Sequence, residues 1–458
     1  LNKQALNDYL TFQFVLGDNT LFEGINKIEP ANYLQGNIKT KKEIKIHNWW
    51  RMEYLIDYEH STSWFNEKLS FLIKDSIRLQ TISDYPIGTY LSGGLDSSLV
   101  SSLTSSQLGK KIKSFHGKFK ESIDYDESKY ASKVAEQSNL SLYETIPTSN
   151  QFIETLPLII KILDEPVAGP GVFPQFNVSE LASKHVKVIL GGQGGDELFG
   201  GYARYLVAYF EQALKGSIEE TQEEGKHLVT LSSIIENLPL LNGYQPLMKK
   251  FWSNGLFENM NKRYFHLISR INKFDNPLQN NFLERLDDNE QFDRFNNIFE
   301  CRNTSSYINK MTAFDLKTIL PGLLQIEDRV SMHWGLEARV PLLDYRIAEL
   351  VATIPPQLKF QEGRTKALLK SSSKKFLPEV IINRKDKMGF PVPLSHWIKK
   401  SAFKEFISDI LLSQNSLQRG LFKPSYIRSL VENNKCPDTR ELWGAICLEL
   451  WFKEFLDV

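Results

Sequence analysis

The 458 residues carry 55 basic and 55 acidic side chains, no formal net charge and 41% hydrophobic residues. That size is ample for two or three packed domains, and the balanced charge excludes an overall electrostatic pull toward nucleic acid or anionic membrane. No apolar run reaches the roughly 18 residues a membrane span needs, and no signal-peptide pattern opens the chain. The cysteines, Cys301, Cys436 and Cys447, form no Cys-x-x-Cys pair, which argues against a disulfide framework and a zinc knuckle and favours a reducing, cytoplasmic setting. The charge runs Lys39–Glu43 and Glu219–Glu224 read as solvated faces. The chain opens on Leu1 rather than Met, so it is expected to start inside a longer protein.

Residues 1–50 predict a short helix, Gln4 to Phe14, then turn-and-strand material, too short to stand alone. From the capping cluster Ser61-Thr62-Ser63 an amphipathic helix is expected to about Gln80, with Phe65, Leu69, Leu72, Ile73 and Ile77 on one stripe. Short apolar runs at Ile87–Leu91, Ile112–Phe115, Leu142–Ile146 and Val186–Leu190 then alternate with helical patterns at Ser97–Gln107, Glu127–Gln137, Gln151–Leu163 and Pro174–Lys184. The rhythm predicts an α/β fold with a doubly wound, mostly parallel sheet, whose ligands bind outside the carboxyl ends of the strands. Beyond Tyr205 strand signals vanish. Residues 206–300 read as mixed helical material, and 301–458 as helices broken by Pro321, Pro341, Pro355-Pro356, Pro378 and Pro391.

The sharpest chemical signal is Leu91-Ser92-Gly93-Gly94-Leu95-Asp96-Ser97-Ser98, between a predicted strand and a predicted helix. Two glycines let the backbone approach a ligand, while serines and helix-start N–H groups offer donors to a phosphate or pyrophosphate. A Gly-Lys-Ser/Thr ending is absent, so this is no Walker A loop; it suits a pyrophosphate that leaves whole. Asp96 would repel that anion unless a cation stood between them, which implies Mg²⁺. The bland alternative is a Gly-Gly turn capped by serines. A second string, Val186 to Tyr202, holds six glycines between 191 and 201 together with Asp196 and Glu197. It suits a backbone pressed against a nucleotide, with Asp196 as a second Mg²⁺ carboxylate. Its bland alternative is a Gly-rich turn with a capping Asp.

Together these strings resemble the glutamine-hydrolysing asparagine synthetases, members of the pyrophosphate-loop ATPase group. Further resemblance lies in Ile123–Ser128, Asp164–Pro166, Ile326–Met332, Leu336–Asp344, Gly363–Lys366 and Arg384–Phe390. The resemblance implies an adenine nucleotide alpha hydrolase-like core over residues 53–205. It implies a helical remainder of the synthetase domain over 206–458, and a tail of an N-terminal glutaminase domain over 1–52. Ser92, Gly93, Gly94, Asp96, Ser97 and Ser98 would hold pyrophosphate; the backbone of Leu91, Gly117, Gly191 and Gly192 would hold adenosine. Asp96 and Asp196 would bind Mg²⁺, and Lys366 would stand beside an acyl-adenylate, although by itself a lysine there reads as a surface residue. The implied substrates are MgATP, aspartate or another carboxylate, and ammonia or glutamine, with a homodimer left open as the assembly.

Two departures qualify that expectation. Gln193 stands where asparagine-forming members carry a glutamate that serves adenylation and the amide-forming step; a carboxamide neither accepts a proton nor carries charge. The family's N-terminal nucleophilic cysteine is matched by none of the three cysteines. Other readings therefore stay open: amidation of another carboxylate, attack by an internal or peptide amine as in β-lactam synthetases and lasso-peptide cyclases, or an inactive nucleotide-binding regulator. Pairs such as Asp328-Arg329 and Glu337-Ala338-Arg339 suggest a buried Arg–carboxylate network at a substrate pocket, or plain salt bridges. His116 reads as a bystander and the aromatic residues as core.

Overall fold

The computed structural model describes residues 1–37, 44–167, 169–219, 245–253, 255–270, 278–279, 288–300, 304, 306–361, 364–384, 392–432 and 439–457. The chain opens with helix α1 (Lys3–Phe12) and an antiparallel pair, β1 (Asn32–Gln35) and β2 (Lys45–Asn48). Helix α2 (Thr62–Gln80) starts where its capping cluster predicts. The Ser61 hydroxyl accepts from the Trp64 N–H at 3.3 Å, satisfying a donor with no partner inside the helix. The predicted stripe from Phe65 to Ile77 is its buried face.

The core then alternates β3 (Ile87–Tyr90), α3 (Leu95–Leu108), β4 (Ile112–Gly117), α4 (Ser128–Gln137), β5 (Leu140–Thr145), α5 (Ser149–Leu163), α6 (Val172–Ser183) and β6 (Val188–Leu190). The strands are parallel, in the order β5-β4-β3-β6-β7, where β7 is Glu337–Arg339. Side-chain alternation along a strand puts Val188 and Leu190 into the cluster formed with α2, α3 and α4. Ile189 joins Val178 and Ala182 of α6 on the other face. From β3 the chain crosses to β4 on one side, while β6 and β7 lie on the other. The loops after β3 and β6 therefore share the topological switch point, where open parallel sheets bind ligands.

Two expectations need correction. Strand signals do not end at Tyr205: β7 pairs with β6 through Val188↔Glu337, Ile189↔Ala338 and Leu190↔Arg339. Three residues, two of them charged, at a sheet edge display no period. Nor does Pro321 break a helix, because Tyr307–His333 runs through it for 27 residues. Its buried side chains on both sides, Phe314 and Leu320 before and Ile326 and Val330 after, offset the one backbone hydrogen bond that proline removes. Pro356 and Pro378, by contrast, lie at helix starts as expected.

The first fifty residues do pack against something larger. Tyr9 donates its hydroxyl to the Gly444 carbonyl at 3.1 Å, Gln13 donates to the Arg440 carbonyl at 2.6 Å, and Asp8 pairs with Arg294 at 2.8 Å. Trp397, Trp443 and Trp451 are buried in the core as expected, whereas Trp49 and Phe71 are exposed and depart from that reading. Cys447 is a buried free thiol; Cys301, Cys436, Pro391, the run Lys39–Glu43 and the acidic run from residue 220 lie outside the described residues. No helix among the described residues is long and apolar enough to cross a membrane.

One buried lysine should give the fold a pH dependence. Lys359 is 3% exposed, donates to Asn309 Oδ1 at 2.8 Å, and burial pushes its amine down to about 7. Between about pH 7 and the ordinary lysine range near 10.4, the unfolded chain binds a proton there that the folded chain lacks. Stability referred to this group therefore rises with pH across that window, by about 1.4 kcal/mol for each pH unit crossed. Lys359→Met is expected to compare more favourably with wild type at pH 7 than at pH 9.5, read from denaturation midpoints. An equal difference at both values would mean Lys359 stays charged in the fold.

Candidate active site

The first loop leaves β3 with its backbone already tied down. The Leu91 N–H donates to the Phe115 carbonyl at 2.9 Å, and the Leu91 carbonyl meets His116 Nδ1 at 2.9 Å. His116 is buried, which lowers its basicity, and its contact with Leu91 ties β4 to the loop. Gly93 turns with φ +78°, and its α-carbon lies against Tyr130 and the Ala131 N–H. A Cβ there would meet those atoms at 2.7–2.8 Å. Ser92 and Ser97 join hydroxyls at 2.9 Å, and Ser97 Oγ also accepts from the Ser92 N–H at 3.2 Å. Gly94 caps α3 with no side chain, so the positive end of a 14-residue helix faces the loop. Ser98 differs from its neighbours: it is fully buried, and its Oγ finds no partner among the described residues.

The second loop leaves β6 beside the first. The Gly191 N–H donates to the Arg339 carbonyl at 2.8 Å, so the N–H groups of Leu91 and Gly191, two of the four residues whose backbone would hold adenosine, are engaged within the sheet. Gly192 is pressed against Asp96 and the Ser97 N–H. Gly195 opens the short helix α7 (Gly195–Phe199) against the Asp96 carboxylate. Gly117 closes β4 at the same rim, paired with Thr145 of β5 and two positions past Phe115, the last residue of β4 in register with β3.

Three charged side chains meet between these loops. Lys366 Nζ lies 2.5 Å from Asp96 Oδ2 and 2.6 Å from Asp196 Oδ1. The reading of Lys366 as a surface lysine is overturned: it is 4% exposed, with φ +56°, at the start of a helix spanning Ala367–Ser373. A left-handed backbone is costly for a lysine, and here the ion pairs of its side chain accompany it. Residue 363 of the same stretch lies outside the described residues, as do residues 385–390 beyond Arg384.

Three residues at this rim escaped sequence reasoning as site residues. Glu197 is buried next to Asp196; burial first and that neighbour second raise its carboxyl, which accepts from the Tyr202 hydroxyl. Arg384 pairs with Glu127, donates to the Gly93 carbonyl at 3.2 Å and stacks on Tyr130 at 3.9 Å, fastening the first loop from outside. Glu327, on the helix Tyr307–His333, points its carboxylate at the second loop. Its Oε2 accepts from Gln193 Nε2 and Gln175 Nε2, each at 3.2 Å, and burial pushes its pKa up to about 7. The sequence offered a faint signal for it, an acidic residue in phase with the apolar positions Leu320 and Val330.

Of the two readings of the Asp328-Arg329 and Glu337-Arg339 pairs, plain salt bridges hold: neither arginine enters a buried carboxylate network. Arg329 pairs with Asp164 at 2.7 Å with both side chains about half exposed. Arg339 reaches Glu337 at 2.7 Å on the surface and ties β7 to the end of α2 through the Gln80 and Ile82 carbonyls. In the string Glu327-Asp328-Arg329 helix geometry turns the last two outward and the first inward.

Comparison with known proteins agrees with this architecture. The family model described as asparagine synthase matches residues 68–453. Asparagine synthetase [glutamine-hydrolyzing] 1 of Bacillus subtilis (strain 168) is 29% identical over 98% of this chain and 68% of its own length. A putative asparagine synthetase [glutamine-hydrolyzing] of Mycobacterium tuberculosis (strain ATCC 25618 / H37Rv) is 25% identical over 100% of the chain and 68% of that protein. Amidase chry2 of Gibberella zeae (strain ATCC MYA-4620 / CBS 123657 / FGSC 9075 / NRRL 31084 / PH-1) is 22% identical over 86% and 62%. A parallel sheet with paired loops at its switch point, and a family match over most of its length, make this chain a member of the asparagine synthase family.

Proposed function

We propose that the chain is an ATP-dependent amide-forming synthetase that adenylates the side-chain carboxylate of aspartate and transfers the acyl group to ammonia. The observation that carries this reading is the convergence of Asp96, Asp196 and Lys366, from three distant segments, beside the uncapped start of α3. The substrate MgATP fits that arrangement. Helix-start N–H groups and the hydroxyls of Ser92 and Ser97 suit a pyrophosphate, and two carboxylates suit a Mg²⁺ completed by phosphate oxygens and water. The bound metal would spread the negative charge that builds as pyrophosphate leaves.

Each residue then has a task. Ser92, Gly93, Gly94, Ser97 and Ser98 shape the pyrophosphate cradle, the last by packing beneath it. The backbone of Leu91, Gly117, Gly191 and Gly192 borders the nucleoside. Lys366 offsets charge at the α-phosphate while the carboxylate attacks it. Holding both reactants in one pocket makes the second step, attack by ammonia and loss of AMP, nearly unimolecular. Residues 53–205 would be the nucleotide-binding core, sharing β7 with the helical part at 206–458, and residues 1–52 the end of a glutaminase domain that supplies ammonia from glutamine.

Gln193 favours a second reading, in which the same adenylation serves another carboxylate. Pyrophosphate release from MgATP and ammonium chloride, measured with L-aspartate, L-glutamate and D-galacturonate, separates the two. Aspartate-dependent release with asparagine as product is the expected result. Release with another acid alone would move the assignment to a related amidotransferase, and silence with every acid would count against adenylation of a small carboxylate.

A further inference from the structure

The turn from Gly191 to Asp196 has carboxylates on both flanks, and among the described residues only one flank is matched by a cation. On the inner flank Asp96 and Asp196 share Lys366. On the outer flank stands Glu327, fully buried, with no charged partner among the described residues. Both of its hydrogen bonds among the described residues, from Gln175 and Gln193, go to Oε2. Oε1 is buried, makes no hydrogen bond among the described residues, and lies so close to Gly191 that a Cβ there would sit 2.9 Å from it. The ring of Tyr90 lines the same spot, its hydroxyl turned away to Ser179 at 2.8 Å.

Burying an unmatched carboxyl costs stability, and two carboxamides clamped on one oxygen leave the other directed at the loop. Resting on the proposed amide-forming reaction, the chemistry asks for such a group. When ammonia attacks the acyl carbon, the C–N bond forms and the C–O bond to AMP breaks with its electron pair on AMP. The nitrogen is then left with a proton to lose. Asp96 and Asp196 are held by Lys366, Glu197 accepts from Tyr202, and Gln193 cannot take a proton. We propose that Glu327, held by Gln193 and Gln175, is the acceptor of the proton released from ammonia in the amide-forming step. Gln193 then works as a donor that fixes the acceptor, and the acidic group of this loop stands on the helix behind it. A carboxyl whose pKa lies near neutrality suits that exchange.

The test separates the two half-reactions. Acid-dependent ATP–pyrophosphate exchange reports adenylation, and amide formation with ammonium chloride reports the second step, both with whichever acid of the panel supports exchange. Glu327→Gln is expected to keep exchange within about twofold and to lower amide formation by roughly 10²-fold or more. The exchanged pair Gln193→Glu with Glu327→Gln keeps one carboxyl and one carboxamide in the same space and should regain amide formation at least tenfold over the single variant. Amide formation at the wild-type rate in Glu327→Gln would overturn the inference. So would a parallel fall of exchange and amide formation, or no recovery in the exchanged pair. Absence of exchange in the wild type with every acid would instead overturn the adenylation reading, and the inference with it.

Discussion

Asp96→Asn and Asp196→Asn are each expected to abolish acid-dependent pyrophosphate release while leaving the fold intact. Each variant still leaves Lys366 one carboxylate, so neither strands a buried cation, and the large penalty of breaking a buried ion pair is avoided. What each removes is half of the negative charge that would hold Mg²⁺ against the phosphates. Lys366→Met has the opposite electrostatic effect, leaving two carboxylates facing one another within the space of one ammonium group. The loss of one preorganised charge contact then predicts a fall of roughly 10²–10³-fold in release. Pyrophosphate release and circular dichroism, measured on the same preparations, check both parts. Near-normal release from either Asp variant would remove that residue from the metal assignment.

Gly201→Ala is expected to be nearly as damaging, for a steric reason. A Cβ at residue 201 would fall 2.0 Å from Asp196 Oδ1 and 2.1 Å from Lys366 Cε. The Gly201 N–H also donates to the Asp196 carbonyl at 2.8 Å, so the backbone cannot retreat without losing that bond. Relief must come from displacing the carboxylate or the lysine, the two groups whose geometry the proposed chemistry would use, and a misplacement of about 1 Å costs on the order of 10²-fold. Overpacking of this kind also lowers stability by about 1–3 kcal/mol. Steady-state pyrophosphate release beside a thermal melt distinguishes the effects. A normal rate with a lowered melting temperature would show that the cluster tolerates displacement.

Much of this was legible in the linear chain. The serine cap and apolar stripe of α2, the strand–helix alternation from Ile87 to Leu190 and the glycine strings each depend on neighbours within a few residues, so local pattern exposed them. The two loops could be recognised as a pair because each follows a strand, which fixes its place at the carboxyl rim of a parallel sheet. Pro321 and β7 were misread by the same local logic. A proline inside a helix is tolerated only because packing on both sides holds it, and a three-residue edge strand exists only because β6 is beside it.

The sequence by itself therefore determined the fold class, the position of the paired loops and the family to which the chain belongs, all of which rest on short-range periodicity and contiguous strings. Only the tertiary structure decided which charges meet. Lys366 lies 270 residues from Asp96 in the chain and 2.5 Å from it in space. The pairs Asp328-Arg329 and Glu337-Arg339, prominent in the sequence, turn to the surface, while Glu327 alone turns inward to Gln193. Burial and counter-charge are set by what packs against a residue from elsewhere in the chain, and residue identity carries no record of that.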